Sequence, residues 1–288
     1  MNAPKRESSL GEAAVQRPEG RRAFNAPGRP NGDSSLPPSS SMLELRRLGH
    51  AFFGRTVLED IWLTVESGEV VALVGPSGCG KSTLAQIAAG LVEPREGEVI
   101  RRYGHHAMVF QEPRLLPWAN ARDNIGFSLR LARMPRRQRA ARIAEAAALA
   151  QFEAEDLGKF PSELSGGMRQ RVAIARALAP RPDFIYFDEP FTALDVALKR
   201  RMQDLVIEAA RQAQFAALFI THDLMEAVRI AHRIIVLDHA GRGVAGERAI
   251  DGVPGTRDDG TIFHTVQSML EHDPAFAHIH DVDERRRA

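Results

Sequence analysis

The sequence predicts an α/β fold built on a parallel sheet with helices on both faces. Three observations predict it. Four short apolar runs, Val70-Val71-Ala72-Leu73-Val74, Phe184-Ile185-Tyr186-Phe187, Ala217-Leu218-Phe219-Ile220 and Ile234-Ile235-Val236-Leu237, have the pattern of strands buried on both sides. Helical stretches lie between them, and alternation of strands with helices favours parallel pairing. The first run ends in a glycine-rich loop that opens a helix.

The elements follow in order. Residues 1–42 are rich in Ser, Pro, Gly and Arg and hold few large apolar residues. Such a segment buries too little surface to offset its ordering entropy, so a flexible tail is expected rather than a docking arm. Order is expected from about Leu43. After the 70–74 strand, Leu84, Ile87, Ala88 and Leu91 mark one face of a helix, closed by Pro94 and Gly97. The stretch from about 112 to 165 has helical, Ala- and Arg-rich sequence and no convincing strand, and reads as a helical insertion. Its arginines at 133, 136, 137, 139 and 142 are expected on a solvated helix face rather than on nucleic acid. A helix is expected over 197–212, between the second and third apolar runs. The domain is expected to span 43–270, with one short helix over 262–270 and a tail at 271–288. His264, His272, His278 and His280 are spaced too irregularly to favour a metal site.

Composition narrows the function classes. Of 288 residues, 38 are Lys or Arg and 37 are Asp or Glu, so no overall field draws the chain to nucleic acid. Cys79 is the single cysteine, which excludes an internal disulfide and fits a reducing compartment. No run of about 18 apolar residues occurs, and the N-terminus lacks the apolar core of a signal peptide.

Gly75-Pro76-Ser77-Gly78-Cys79-Gly80-Lys81-Ser82-Thr83 is a complete phosphate-binding loop, set between an expected strand and an expected helix. Its glycines let backbone N–H groups turn toward phosphate oxygens, and the helix N-terminus adds partial positive charge. In this motif Lys81 reaches the β- and γ-phosphates, and the Ser82 hydroxyl ligates Mg²⁺. Cys79, inside the loop, is expected to pack rather than act as a redox switch. The second apolar run ends in Asp188-Glu189, at the strand edge where α/β sheets bind ligands. Asp188 there can hold the metal, and Glu189 can polarise an attacking water. These residues alone leave a GTPase or a small-molecule kinase open. No guanine-reading Asn-Lys-x-Asp motif occurs, which favours ATP.

Leu164-Ser165-Gly166-Gly167-Met168-Arg169-Gln170 resembles the signature sequence of ATP-binding-cassette (ABC) ATPases. Further matches occur in the same order as in that family. Gln111, in Val-Phe-Gln, resembles the Q-loop glutamine. Ala193-Leu194-Asp195 resembles the D-loop, and His222, in Ile-Thr-His-Asp, resembles the switch histidine. Phe52 stands where the family's adenine-stacking aromatic is expected. The resemblance runs from about 43 to 240. It implies a RecA-like P-loop NTPase core, an inserted helical subdomain and a small antiparallel β subdomain.

The resemblance also implies roles. Phe52 would stack on adenine, and residues 75–83 would hold the phosphates. Ser82, Asp188 and Gln111 would surround Mg²⁺. Glu189 would act as general base, with His222 holding the water–glutamate geometry and Lys81 the phosphates. Ser165, Gly166 and Gly167 would act in trans, on ATP bound to a second copy, and Asp195 would line the dimer interface. One loop and one signature per chain imply two composite sites in a homodimer.

A single cassette without a membrane span suits a separate energising subunit on the cytoplasmic face of a membrane permease. The implied partners are a second copy, permease subunits and, indirectly, an extracytoplasmic solute-binding protein. Leu115-Leu116-Pro117-Trp118, followed by Asp123-Asn124-Ile125, resembles the nitrate, sulfonate and taurine importer subfamily. In that family this apolar patch receives a coupling helix of the permease. The alternative is a soluble, non-transport ABC ATPase acting on a protein or nucleoprotein.

Overall fold

The computed structural model describes residues 41–192, 194–213 and 215–276. Most of the tail expected at 1–42, together with His278 and His280, lies outside them. Ser41 and Met42 already belong to the first strand, β1 (Ser41–Phe52). β1 pairs antiparallel with β2 (Arg55–Glu66) on one side. On the other side it pairs antiparallel with β4 (Glu96–Arg101), which follows β3 (Val70–Val74) in the chain. The three form the small antiparallel sheet, in the order β2-β1-β4.

The second sheet contains all four apolar runs read from the sequence. They are β3, β6 (Phe184–Asp188), β7 (Ala216–Ile220) and β8 (Arg233–Leu237). β5 (His106–Val109) joins at one edge and β9 (Val244–Ala249) at the other, giving β5-β6-β7-β3-β8-β9. Every pair is parallel except β8 with β9. The sheet is therefore mixed, with an antiparallel edge strand that the apolar pattern does not announce. The sequence reason is plain: β9 reads Val-Ala-Gly-Glu-Arg-Ala and is only half-buried.

Helix α1 (Lys81–Ala88) lies between the two sheets, where Leu84, Ile87 and Ala88 are fully buried with Leu45, Val65 and Tyr186. The opposite face of the large sheet is covered by α5 (Gly166–Leu178) and α6 (Val196–Ala213). The insertion between them and β5 is helical: α2 (Ala121–Ile125), α3 (Phe127–Leu131) and α4 (Arg136–Leu149) pack on α5 around Ile125, Leu129, Phe152 and Val172. On α4, Arg142 pairs with Glu145, while Arg136 and Arg137 are exposed, as is Arg133 in the turn before the helix.

The C-terminal stretch joins the core. α7 (Leu224–Ile230) and α8 (Asp259–His272) pack together around Ile262, Val266 and Met269. Packing continues beyond Leu270, since Phe276 is fully buried in the same cluster. His264 and His272 stand exposed on α8.

Candidate nucleotide site

The strand order positions the site. β5, β6, β7 and β3 are consecutive neighbours, and each candidate segment leaves the C-terminal end of one of them. β5 runs toward Gln111, β6 ends in Asp188-Glu189, β7 leads into Thr221-His222, and β3 delivers the phosphate loop. Ligands of open α/β sheets bind at that edge.

The loop's own residues set its shape. Gly80 caps α1 with φ 100°, and a Cβ there would sit 2.8 Å from Leu58 Cδ2. Only glycine meets both demands. The Lys81 ammonium is buried and donates to Gly75 O at 2.7 Å and Pro76 O at 2.8 Å. These carbonyls hold the charge in the loop mouth, where phosphate oxygens would compete for it. Cys79 Sγ lies 4.0 Å from Lys81 Nζ, and burial pushes the thiol up, with the lysine acting against it. A buried thiol with a raised pKa packs and is unreactive.

Ser82 Oγ donates to Asp188 Oδ1 at 2.8 Å. Burial pushes the Asp188 carboxyl above its ordinary range; Ser82 opposes the shift and the neighbouring Glu189 charge adds to it. Hydroxyl and carboxylate thus share one point, and the carboxylate's charge is undercompensated. That is a fitting donor pair for a hard cation completed by phosphate oxygens and water.

Glu189 follows with φ 45°, a left-handed backbone costing a non-glycine residue about 1 kcal/mol. Its N–H donates to Ile220 O at 3.1 Å, which ties the β6 turn to β7. Its Oε2 lies 3.3 Å from Thr192 Oγ1 and 3.2 Å from His222 Nδ1. Strain at such a position is characteristic of working sites.

An open cleft is lined by Val57, residues 77, 78 and 80 to 83, Gln111 and Glu189. Phe52 is not in that lining. It is partly exposed at the end of β1, paired with Arg55, and its ring meets the His50 ring edge-on at 4.6 Å. Val57 was not foreseen; a β-branched residue beyond a hairpin carries no signal of its own.

The signature residues also lie outside the lining. Ser165 caps α5, its Oγ accepting from Met168 N at 3.2 Å, and Ser165 and Gly166 are exposed. A Cβ on Gly167 would meet Leu198 Cδ2 at 2.7 Å, so α5 and α6 approach closely there. Asp195 Oδ1 accepts from Leu198 N at 2.9 Å, at the head of α6. Ala193 lies outside the described residues. α5 also holds the Q-loop: Gln170 Nε2 donates to Phe110 O, and Arg176 to Pro113 O and Arg114 O.

The apolar patch after Gln111 divides. Leu115 packs into the helical subdomain, whereas Trp118 is 75% exposed. Fully buried Asn124 pins the loop, accepting from Leu116 N at 2.7 Å and donating to Ala119 O at 2.8 Å.

Comparison with known proteins decides the family. A family model described as ABC transporter matches residues 58–192. An aliphatic sulfonates import ATP-binding protein, SsuB 1 of Pseudomonas syringae pv. syringae (strain B728a), is 46% identical over 197 residues, 68% of this chain and 81% of that one. The chain belongs to the ATP-binding-cassette family. Other cassettes agree. The Fe(3+) ions import ATP-binding protein FbpC of Escherichia coli (strain K12) is 37% identical, over 69% of this chain and 60% of its own. Among solved structures, the dimeric post-hydrolysis state of the cassette MJ0796 bound to ADP and Pi aligns with a TM-score of 0.67. That match is 31% identical and covers 73% of this chain and all of that one. The cassette is an ATPase, and its fold is the P-loop NTPase core with a mixed large sheet and a small antiparallel sheet.

Proposed function

We propose that this cassette is the ATP-hydrolysing subunit of an importer. In this reading two copies work on two permease chains at the cytoplasmic face of the inner membrane. The solute is a small anionic or organic compound of the nitrate, sulfonate or taurine type, handed over by an extracytoplasmic binding protein. The observation that carries the ATPase half is the Ser82–Asp188 contact beside Glu189 and His222, at the mouth of the phosphate loop. The importer half is supported by relatives named as import ATP-binding proteins. Among the described residues no helix is long and apolar enough to cross a membrane, so the reading requires partners that do.

The chemistry follows from the chain's own side chains. Lys81 and the loop N–H groups bind the β- and γ-phosphates and neutralise charge as the terminal P–O bond breaks. Ser82 and Asp188, with Gln111 at the cleft wall, would hold Mg²⁺, which when bound supplies further charge neutralisation on the phosphates. Glu189 takes the proton from the attacking water, and His222 fixes the Glu189 carboxylate through the Nδ1–Oε2 contact. The products are ADP and phosphate.

Ser165, Gly166 and Gly167 close over the partner's ATP. The exposure of Ser165 and Gly166, and the absence of all three from the cleft of their own chain, support that assignment. Hydrolysis removes the shared γ-phosphate and opens the pair. The unit doing this work is taken to include β1 from Ser41 and the packed segment through Phe276, with the helical subdomain at about 112–165. Trp118 is the contact offered to the permease.

The test is a pull-down of the tagged chain from detergent-solubilised membranes, read by mass spectrometry. Recovery of a polytopic permease supports the importer. Recovery of soluble partners alone, with the chain absent from membranes, overturns it and favours a non-transport ATPase.

A further inference from the structure

Helix α6 and the loop carrying His222 are joined by a polar cluster that the roles above do not use. Lys199 Nζ lies 2.7 Å from Asp223 Oδ2 and 3.7 Å from Glu226 Oε1. Glu226 is buried, and it accepts hydrogen bonds from Gln203 Nε2 at 3.0 Å and from the Thr221 hydroxyl. The Thr221 hydroxyl oxygen in turn accepts from Asp223 N at 3.1 Å. Asp223 Oδ1 caps α7 by accepting from Glu226 N at 3.2 Å.

Two features of this cluster are informative. First, both neighbours of His222 are tethered, Thr221 to Glu226 and Asp223 to Lys199, while the His222 side chain is free on the other side to meet Glu189. Second, the anchoring residues Lys199 and Gln203 are four apart on α6, so they share a face. One turn before Lys199 stands Asp195, whose carboxylate and carbonyl begin the helix, with Lys199 N donating to Asp195 O at 2.7 Å. Further along, Arg229 of α7 pairs with Asp204 of α6, so the two helices are clamped over successive turns.

We propose that Lys199 and Glu226 are positioning residues for ATP hydrolysis. They lock the His222 segment to α6, so that the placement of Asp195 at the head of that helix sets how His222 meets Glu189. Asp195 is expected at the dimer interface. The cluster therefore gives pairing of two cassettes a route to the hydrolytic groups of each. Of this ionic cluster only Glu226 is buried, so its net stability is small, and its geometric specificity is what an apolar replacement would lose. Charges support the same picture: burial acts against the Asp223 carboxylate, yet the Lys199 ammonium holds its pKa below the ordinary range.

This inference rests on the assignment of Glu189 and His222, and the experiment separates the two. Steady-state ATP hydrolysis by the purified full chain is measured for Lys199→Met, Lys199→Arg, Glu226→Gln and His222→Ala, and for each of the first and third combined with His222→Ala. Lys199→Met is expected to lower kcat by about ten- to a hundredfold, because misplacing a reacting group by about 1 Å costs on that order. KM for ATP stays within about twofold, since Lys199 does not line the cleft. Lys199→Arg restores most of the rate. Glu226→Gln keeps the shape of the buried side chain and guards against a folding failure of Lys199→Met; it too lowers kcat with KM preserved. In the His222→Ala background neither substitution costs more than about a further twofold, because residues that act through one group are non-additive. Full additivity, or wild-type kcat in both Lys199→Met and Glu226→Gln, overturns the positioning role while leaving the site intact. Wild-type kcat in His222→Ala overturns the site assignment and the coupling together.

Discussion

Replacing Glu189 by Gln tests the hydrolytic assignment with little structural disturbance. The side chain keeps its volume, and the amide oxygen can still accept from Thr192 Oγ1, now 3.3 Å from the carboxylate. The left-handed backbone at φ 45° is no harder for Gln than for Glu. Folding stability should therefore change by no more than about 0.5 kcal/mol. Binding should not suffer either. The Glu189 charge is one of the influences raising the Asp188 pKa, after burial, so its removal eases ionisation of the metal-binding carboxylate. The chemical step should slow by about 10²- to 10⁴-fold, the usual share of a positioned base. At 1.36 kcal/mol per tenfold, that is about 3–5 kcal/mol of barrier. The assay has two parts: single-turnover hydrolysis of radiolabelled ATP, and size-exclusion chromatography with ATP and Mg²⁺, in which the variant should accumulate as a dimer. Hydrolysis within twofold of wild type would remove Glu189 from the role of base. A variant that binds ATP but stays monomeric would refute the closure of the pair over a shared γ-phosphate.

Other expectations follow from the same geometry. Gly167→Val places a side chain against Leu198, 2.7 Å from the Cβ position, and should cost about 1–3 kcal/mol of stability as well as ATP-driven dimerisation; an unchanged melting temperature would dispute the close approach of α5 and α6. Phe276→Ala should cost about 3–5 kcal/mol in urea unfolding, because the ring is fully buried beside α8. A loss under about 1 kcal/mol would make the C-terminal packing incidental. The raised pKa of Asp188 carries a definite sign. Relative to the unfolded chain the ligand-free protein retains this proton to higher pH, so its contribution to stability is complete below the unfolded value, near 3.9, and is lost as pH rises through the folded value. Mg²⁺-dependent ATP affinity should climb over the same window, with proton release visible by calorimetry in buffers of different ionisation enthalpy. Asp188→Asn should abolish that release; an unaltered profile would place the proton elsewhere.

Much of this protein is legible in its sequence because the decisive signals are local. The phosphate loop, its strand and its helix are contiguous, and the spacing of Gly75, Gly80 and Lys81 meets a backbone requirement within one turn. β3, β6, β7 and β8 announce themselves because a strand buried on both faces can hold little but apolar residues. The signature from Leu164 to Gln170 is likewise contiguous, so it is recognised without knowledge of the fold.

The tertiary structure decides what depends on partners distant in the chain. β5 begins with a histidine and holds four residues, and it becomes a strand through its pairing with β6, far along the chain. β9 is exposed at alternate positions, holds no large apolar run and owes its place to β8. The segment around Phe276 has a tail-like composition, yet α7 and α8 leave a buried seat for its ring. Lys199, Gln203 and Glu226 look like ordinary solvated helix residues in one dimension. Folding brings them together across 23 or more positions and places Glu226 out of water, where its hydrogen-bond partners decide its position. Periodicity records which face of an element is buried; it carries no record of which other element covers that face, and the coupling between α6 and the His222 loop arises from that choice of neighbour.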